Sequence, residues 1–265
     1  MKKYLYHIEC VTNLHVGSGD ANYNIVDKEV EKDPITGFPI IHASGIKGAL
    51  RAVYKPQGDD ARSAEELFGA PSTRDGSDNA GKIIFTNAQF ISRPMRVNGD
   101  IPYISTSCLG AVKDYITLTT AFGLNDPNLS VPDNINFGTN AFLLSTNITA
   151  SVEGDRTGAL ANAIKQQLSP LLGSCFALAK SFDNYALPVI ARNNLQTEKG
   201  NLWYEEYVPY HSRFYLVVLV LDDTIDINTV IPKNSVVQVG GNASVGYGYC
   251  RFSQIPEITE GTQSE

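Results

Sequence analysis

Residues 44 to 53 read Ser44-Gly45-Ile46-Lys47-Gly48-Ala49-Leu50-Arg51-Ala52-Val53. Ile46, Ala49, Leu50 and Val53 fall at i, i+3, i+4 and i+7, the spacing of one helical face, and Ser44 stands where an N-cap is wanted. A helix is therefore predicted from Ser44 onward. Before it, Lys2 to Thr12 (KKYLYHIECVT) alternates as a strand does, with Tyr4, Tyr6, Ile8 and Cys10 on one face and Leu5, His7, Glu9 and Val11 on the other. After it, Lys82 to Phe90 is rich in β-formers, Phe214 to Leu221 is apolar and β-branched enough to be a strand buried on both faces, and Ser235 to Val239 begins a strand that runs into glycines. Leu160, Ile164 and Leu168 give a further helical stripe. The fold class expected is α+β.

The connections carry their own signals. Asp20 to Gly37 has no sustained period and contains Pro34, so it reads as a long loop, and loops of that length inside a compact domain are usually functional or disordered. Glu65 to Gly69 reads as a helix end with Gly69 at a left-handed cap, followed by a polar surface loop. With no repeat and no Ser/Gly linker, one elaborated domain is expected over residues 1–253, and the acidic stretch 254–265 is expected to be a flexible tail.

The 265 residues are 43% hydrophobic and 18% charged, the composition of a folded domain rather than of a disordered or coiled-coil chain. The longest apolar run, Phe214 to Leu221, is far short of the roughly 20 residues of a membrane helix. His7 and Glu9 interrupt any signal-peptide h-region, so a cytoplasmic location is expected. Cys10, Cys108, Cys175 and Cys250 are too scattered for a zinc knuckle or a disulfide framework and are read as small buried hydrophobes. A net charge of −7 argues against a sequence-independent nucleic-acid binder coated in positive charge, although Lys47 to Arg96 holds eight basic against six acidic residues, enough for a local groove.

Several residues can carry chemistry. His15 and Asp27 flank the first glycine turn and come within reach of each other if the long loop folds back; a packed histidine and a turn-forming aspartate are the plain alternatives. Lys47 and Arg51, four apart on one helix, either share an anion or are two solvated cations. Gly240, Gly241, Gly246 and Gly248 lie in nine residues and allow close approach of a backbone or a phosphate, or else form a strained turn. Leu202 to Pro209 gathers Trp203, Tyr204, Glu205, Glu206 and Tyr207, a set that suits base stacking and proton or metal chemistry, or an amphipathic edge strand. HExxH, GxSxG, Walker and GxGxxG signatures are missing from the sequence, which removes the corresponding enzyme classes as first choices.

The order of these pieces resembles that of CRISPR RAMP proteins: Leu14 to Gly19 (LHVGSG), Ile25 to Asp27 (IVD), Thr36 to Ile41 (TGFPII), Ser44 to Arg51 (SGIKGALR), Glu66 to Gly69 (ELFG) and the terminal VGGNASVGYG. Ala80 to Arg96 and Gly200 to Pro209 (GNLWYEEYVP) narrow the resemblance to the backbone and slicer subunit of the type III-B (Cmr) effector complex. That resemblance implies a modified ferredoxin-like, RRM-related palm with loop insertions and a thumb-like β-hairpin, placed at approximately 183–210. It implies head-to-tail stacking of copies along a CRISPR guide RNA, with other subunits of the complex, and cleavage of complementary target RNA at six-nucleotide intervals with a divalent metal, Mg²⁺ or Mn²⁺. By the same resemblance Asp27 is the catalytic and metal-holding residue, His15, Glu205 and Tyr207 support cleavage, and Ser44, Lys47, Gly48 and Arg51 hold the guide backbone. The glycines at 240, 241, 246 and 248 join the RNA-binding set. This chain departs from the family where Lys28-Glu29-Val30-Glu31-Lys32 replaces a frequent Pro-Ile-Gln-Arg, and where Tyr247 replaces a common Arg. The rival readings are a catalytically silent RNA-binding backbone subunit, a metal-independent guide-processing ribonuclease built on His15, and a plain ligand-binding domain.

Overall fold

The computed structural model describes residues 1–17, 26–56, 62–70, 80–96, 102–124, 142–144, 168, 171–172, 176–179, 186–194 and 201–256. Strand β1 (Lys2–Cys10) is followed by a two-residue β2 (Ile40–Ile41), helix α1 (Ala43–Val53) and a short α2 (Ala64–Phe68). Then come β3 (Ile83–Phe85), β4 (Ala88–Arg96), β5 (Tyr103–Cys108), α3 (Leu109–Phe122), β6 (Phe142–Leu144) and β7 (Phe176–Ala179). The hairpin β8 (Val189–Asn194) and β9 (Asn201–Glu206) precedes β10 (Arg213–Val220), α4 (Ile227–Val230), β11 (Ser235–Gln238) and β12 (Tyr249–Ile255).

One ten-stranded sheet runs β11-β12-β1-β10-β4-β5-β7-β6, with β2 paired to β4 and β3 to β10, while β8 and β9 form a separate two-stranded sheet. β10 is antiparallel to both β1 and β4, which makes those two parallel to each other across it, joined through α1. Alternation along β10 divides the core. Phe214, Leu216, Val218 and Val220 enter one cluster with Ile46 and Leu50 of α1 and Ile227 and Val230 of α4. Tyr215 and Val217 enter a second cluster with Ala111, Val112 and Tyr115 of α3. Cover on both faces is why the run Phe214 to Leu221 reads as continuous apolar sequence rather than as an alternating one.

The strand read from Lys2 follows the expected alternation: Tyr6, Ile8 and Cys10 join the α1 cluster and Leu5 joins the α3 cluster. Cys10, Cys108 and Cys250 are buried free thiols, and Cys175 lies outside the described residues. Helix α1 forms where expected, but its cap differs. The N-cap residue is His42, with Ser44 exposed in the first turn, and the first helical amide (Ala43) donates to the Asn87 side-chain oxygen at 2.9 Å. A side chain from the β3–β4 turn thus satisfies an orphan donor that a local serine was expected to take. Gly69 ends α2 at φ 87° and ψ 150°, a positive φ as expected but outside the left-handed helical region. Gln254 and Ile255, assigned to the tail by sequence, pair with Tyr6 and Leu5 in the sheet. Leu168 is buried and helical, whereas Leu160, Ile164 and the remainder of the acidic tail from 257 lie outside the described residues.

Candidate active site

The loop with no period finds its partner at the edge of β9. Asp27 and Lys28 both donate their backbone N–H to the Tyr204 carbonyl, at 3.1 Å each, and Glu206 N–H donates to the Lys28 carbonyl at 2.9 Å. Lys28 bridges Glu205 in parallel, so the loop is tied along the edge of the hairpin sheet. Tyr204 N–H in turn donates to Asp27 Oδ2 at 2.8 Å, which fixes an exposed carboxylate at both its backbone and its side chain. Glu206 completes the clamp: its buried carboxylate accepts Val30 N–H at 3.0 Å and the Lys32 ammonium at 2.9 Å.

The loop also folds back onto the segment carrying His15. Gly17 bridges Val30, Glu31 N–H donates to the Val16 carbonyl at 2.7 Å, and Leu14 exchanges both backbone bonds with Val208. His15 is 7% exposed, and its Nδ1 lies 2.8 Å from the Glu206 carbonyl. A carbonyl can only accept, so Nδ1 donates to it, and Nε2 faces Gly17. Asp27 and His15 are therefore anchored two residues apart on β9, roughly 7 Å along the strand at its usual rise.

Glu205, expected from the resemblance to support cleavage, does not face outward. It is 0% exposed because its carboxylate serves four neighbours. Arg192 Nε approaches Oε2 at 3.2 Å without hydrogen-bond alignment, Trp203 Nε1 donates to it at 3.5 Å, Asn242 Nδ2 donates to Oε1, and His15 Nδ1 is 3.9 Å away. The Arg192 guanidinium lies 4.7 Å over the Tyr247 ring, which meets the Tyr207 ring edge-on at 6.1 Å. Tyr207 is half-buried, and desolvation, with Tyr247 second, raises its hydroxyl above the usual tyrosine range. Arg192, Asn242 and Tyr247 were not legible as site residues. The signal for Arg192 is its register opposite Trp203 in the hairpin, which needs the turn position to be known.

The glycine loop is explained largely by contacts within the chain. At Gly240 (φ +77°) a Cβ would stand 2.3 Å from the His15 carbonyl oxygen, and at Gly248 (φ +83°) 2.0 Å from that of Val239. Gly241 N–H donates to the His15 carbonyl at 2.8 Å. Gly246 (φ +83°) is exposed with nothing near its Cβ position. The RNA-binding candidates of α1 stand apart: Ser44 and Gly48 are exposed, Lys47 is half-buried, and Arg51 Nη1 donates to the Gly69 carbonyl at 2.9 Å. Gly45 and Gly48 have open space where a side chain would be, although glycine in a helix costs about 1 kcal/mol relative to alanine. No packing demand among the described residues accounts for them.

Among the described residues no three His, Cys, Asp or Glu side chains converge as a metal cage. Asp27 offers a single exposed carboxylate, a donor of the kind from which Mg²⁺ is held jointly with substrate phosphates. No helix among the described residues is long and apolar enough to cross a membrane.

A model of the RAMP superfamily matches residues 7–251. The chain belongs to the RAMP superfamily. This RAMP protein is 26% identical over 293 aligned positions to the CRISPR system Cmr endoribonuclease Cmr4 of Pyrococcus furiosus, with 98% of this chain and 97% of that protein covered. It is 24% identical to the CRISPR system CMR subunit Cmr4 of Saccharolobus solfataricus, covering 92% of this chain and 93% of the other. Among solved structures, oligomeric Cmr4 from Pyrococcus furiosus superposes with a TM-score of 0.70 at 22% identity, covering 98% and all of the two chains. A chain of the type III-B Cmr-beta complex bound to cognate target RNA gives 0.66 at 18% identity, covering 96% and 97%. These two likenesses establish a shared RAMP fold of mixed α+β content dominated by sheet.

Proposed function

We propose that this RAMP protein is a guide-RNA-binding backbone subunit of a type III-B CRISPR interference complex, acting in the cytoplasm and cutting complementary target RNA at six-nucleotide intervals. Its relative in Pyrococcus furiosus carries the name endoribonuclease across 97% of its length. The observation that carries the reading is Asp27, an exposed carboxylate fixed by both backbone groups of Tyr204 at the edge of a freestanding hairpin. In the wider reading the β12-β1-β10-β4 order, with α1 joining β1 to β4, is the split β-α-β core of a ferredoxin-like palm within residues 1–253, and the β8–β9 hairpin is the thumb. The open face of α1 at Gly45 and Gly48, flanked by Ser44, Lys47 and Arg51, receives the guide backbone, and further copies of the chain stack head to tail along it. Gly246, exposed and with open space at its Cβ position although its φ of +83° itself favours glycine, is the glycine of the C-terminal loop best placed to admit RNA.

RNA supplies its own nucleophile. The 2′-oxygen forms a bond to phosphorus as the bond to the 5′-oxygen breaks; the hydroxyl proton passes to Asp27 and the 5′-oxygen takes a proton from solvent, leaving a 2′,3′-cyclic phosphate and a 5′-hydroxyl. Glu205, enclosed, acts on its neighbours by holding His15, Asn242 and Arg192 in place, and Tyr207 borders the exposed rim. If Mg²⁺ or Mn²⁺ is bound, Asp27 is its protein ligand, and the ion supplies charge neutralisation at the phosphate. Asp27→Asn in the assembled complex should keep target binding and abolish cleavage at every site together, and EDTA should do the same to the native complex. Cleavage at the native rate by the Asn variant would sink the assignment. EDTA-resistant cutting that His15→Ala removes would favour the histidine-based alternative, for which the anchoring of His15 beside the Asp27 clip, through Nδ1 on the Glu206 carbonyl, is the supporting observation.

A further inference from the structure

On or beside the hairpin sheet, the carboxylates of Asp27, Glu205 and Glu206 and the cations of Lys28, Lys32 and Arg192 stand closest to β9, while Glu31 of the same clip is turned to His42 at 3.3 Å. Glu206 is paired with Lys32 at 2.9 Å and Glu205 with Arg192 at 3.2 Å. Asp27 and Lys28 are what remains. Both are exposed, neither has an ion-pair partner among the described residues, and both backbone amides converge on the carbonyl of Tyr204. The Lys28 ammonium is nevertheless held: it lies 5.3 Å above the centroid of the Trp203 ring. A ring face attracts a cation through its quadrupole and carries no net charge, so Trp203 positions the ammonium without neutralising it. A carboxylate in the same place would have done both.

From this charge inventory we infer that Lys28 is a catalytic residue of the cleavage reaction, the cation that meets a non-bridging oxygen of the scissile phosphate while Asp27 serves the 2′-hydroxyl. The assignment rests on the reading of the chain as a target-RNA nuclease. As the 2′-oxygen joins phosphorus and the 5′-oxygen leaves, additional negative charge develops on the non-bridging oxygens in the transition state. An ammonium already fixed beside the attacking side stabilises that charge with little reorganisation. Lys28 gives up no proton in this step; the proton balance stays with Asp27 and solvent.

The test uses the chain assembled on guide RNA with a labelled complementary target, under single-turnover conditions. Lys28→Met retains an unbranched stem on the Trp203 ring and deletes the charge, and Lys28→Arg restores a cation. Lys28→Met should slow cleavage by about 10²-fold while leaving target affinity within about threefold, a split that a merely structural lysine would not produce. Lys28→Arg should recover much of the lost rate. Cutting by Lys28→Met within twofold of native, in the same assay in which Asp27→Asn is silent, overturns the role of Lys28 and leaves the nuclease reading standing. Equal losses in rate and affinity make Lys28 a binding contact and also overturn it. A native assembly that leaves the target intact removes both.

Discussion

Arg192→Met puts the buried network to a quantitative test. The substitution keeps most of the side-chain volume over Tyr247 and removes the guanidinium that stands 3.2 Å from the Glu205 carboxylate. At an effective dielectric constant near 20, two unit charges at that separation attract by 332/(20 × 3.2), about 5 kcal/mol. Trp203 and Asn242 continue to donate to the carboxylate, and Arg192 itself is 19% exposed, so part of that energy is retained or already screened. A net loss of about 3 kcal/mol is expected, the low end of what breaking a buried ion pair costs. For a chain of this size that lowers the midpoint of thermal unfolding by roughly 6–12 °C. Because the cost comes from an abandoned buried charge, it has a signature. Removing the second charge relieves it, so Arg192→Met combined with Glu205→Gln should lie within about 1.5 kcal/mol of native and above the single variant. Thermal and guanidinium unfolding followed by circular dichroism measure this. A single variant as stable as native, or a double variant less stable than the single one, would show that water already reaches Glu205 and that the network positions nothing.

Two further outcomes are expected. Lys47→Ala should lower the slope of log guide affinity against log salt by about 0.7 with no change in stability, while Arg51→Ala should also cost about 1 kcal/mol because the Gly69 carbonyl loses its donor; an unchanged slope in filter binding returns Lys47 to a solvated face. Burial, with Arg213 second, lowers the His7 pKa to about 4, so the unfolded chain takes up a proton there before the folded one does: the contribution is complete above about pH 6.5, is lost as pH falls toward 4, and amounts to about 3 kcal/mol. His7→Gln should flatten that part of the pH–stability curve, and an unaltered curve from urea titrations would assign the acid loss to other groups.

Where sequence and structure agree, the cause is local periodicity. β1 and α1 each bury one side of a regular element, and that burial writes itself into every second or every third and fourth residue. The segment 26–32 carries no such period because its partners, Tyr204 and Glu206, lie about 175 positions away and bind it through backbone groups that any residue supplies, together with the isolated carboxylates of Asp27 and Glu206. Glu205 and Glu206 look alike in sequence, yet adjacent strand residues point to opposite faces, one toward Arg192 and Asn242 and the other toward Val30 and Lys32. The cap on α1 is hidden from local sequence for a related reason, since Asn87 reaches it from 44 positions away. Gly240 and Gly248 were open to two readings because a close backbone approach demands glycine equally when the backbone belongs to the same chain.

The double clip of residues 27 and 28 on Tyr204 has a mechanical corollary. Asp27 and Lys28 are hydrogen-bonded to the two-stranded hairpin sheet, and that sheet shares no strand with the ten-stranded one. Any rigid-body tilt of the hairpin therefore sweeps both side chains through the same arc, as teeth fixed to a jaw. Among the reins on that jaw are the contact of Glu205 with Asn242 and that of the Glu206 carbonyl with His15. A bound strand that wedges the hairpin outward would draw the acid and the ammonium with it in unchanged register, so their spacing is set by the clip while their reach is set by the hinge.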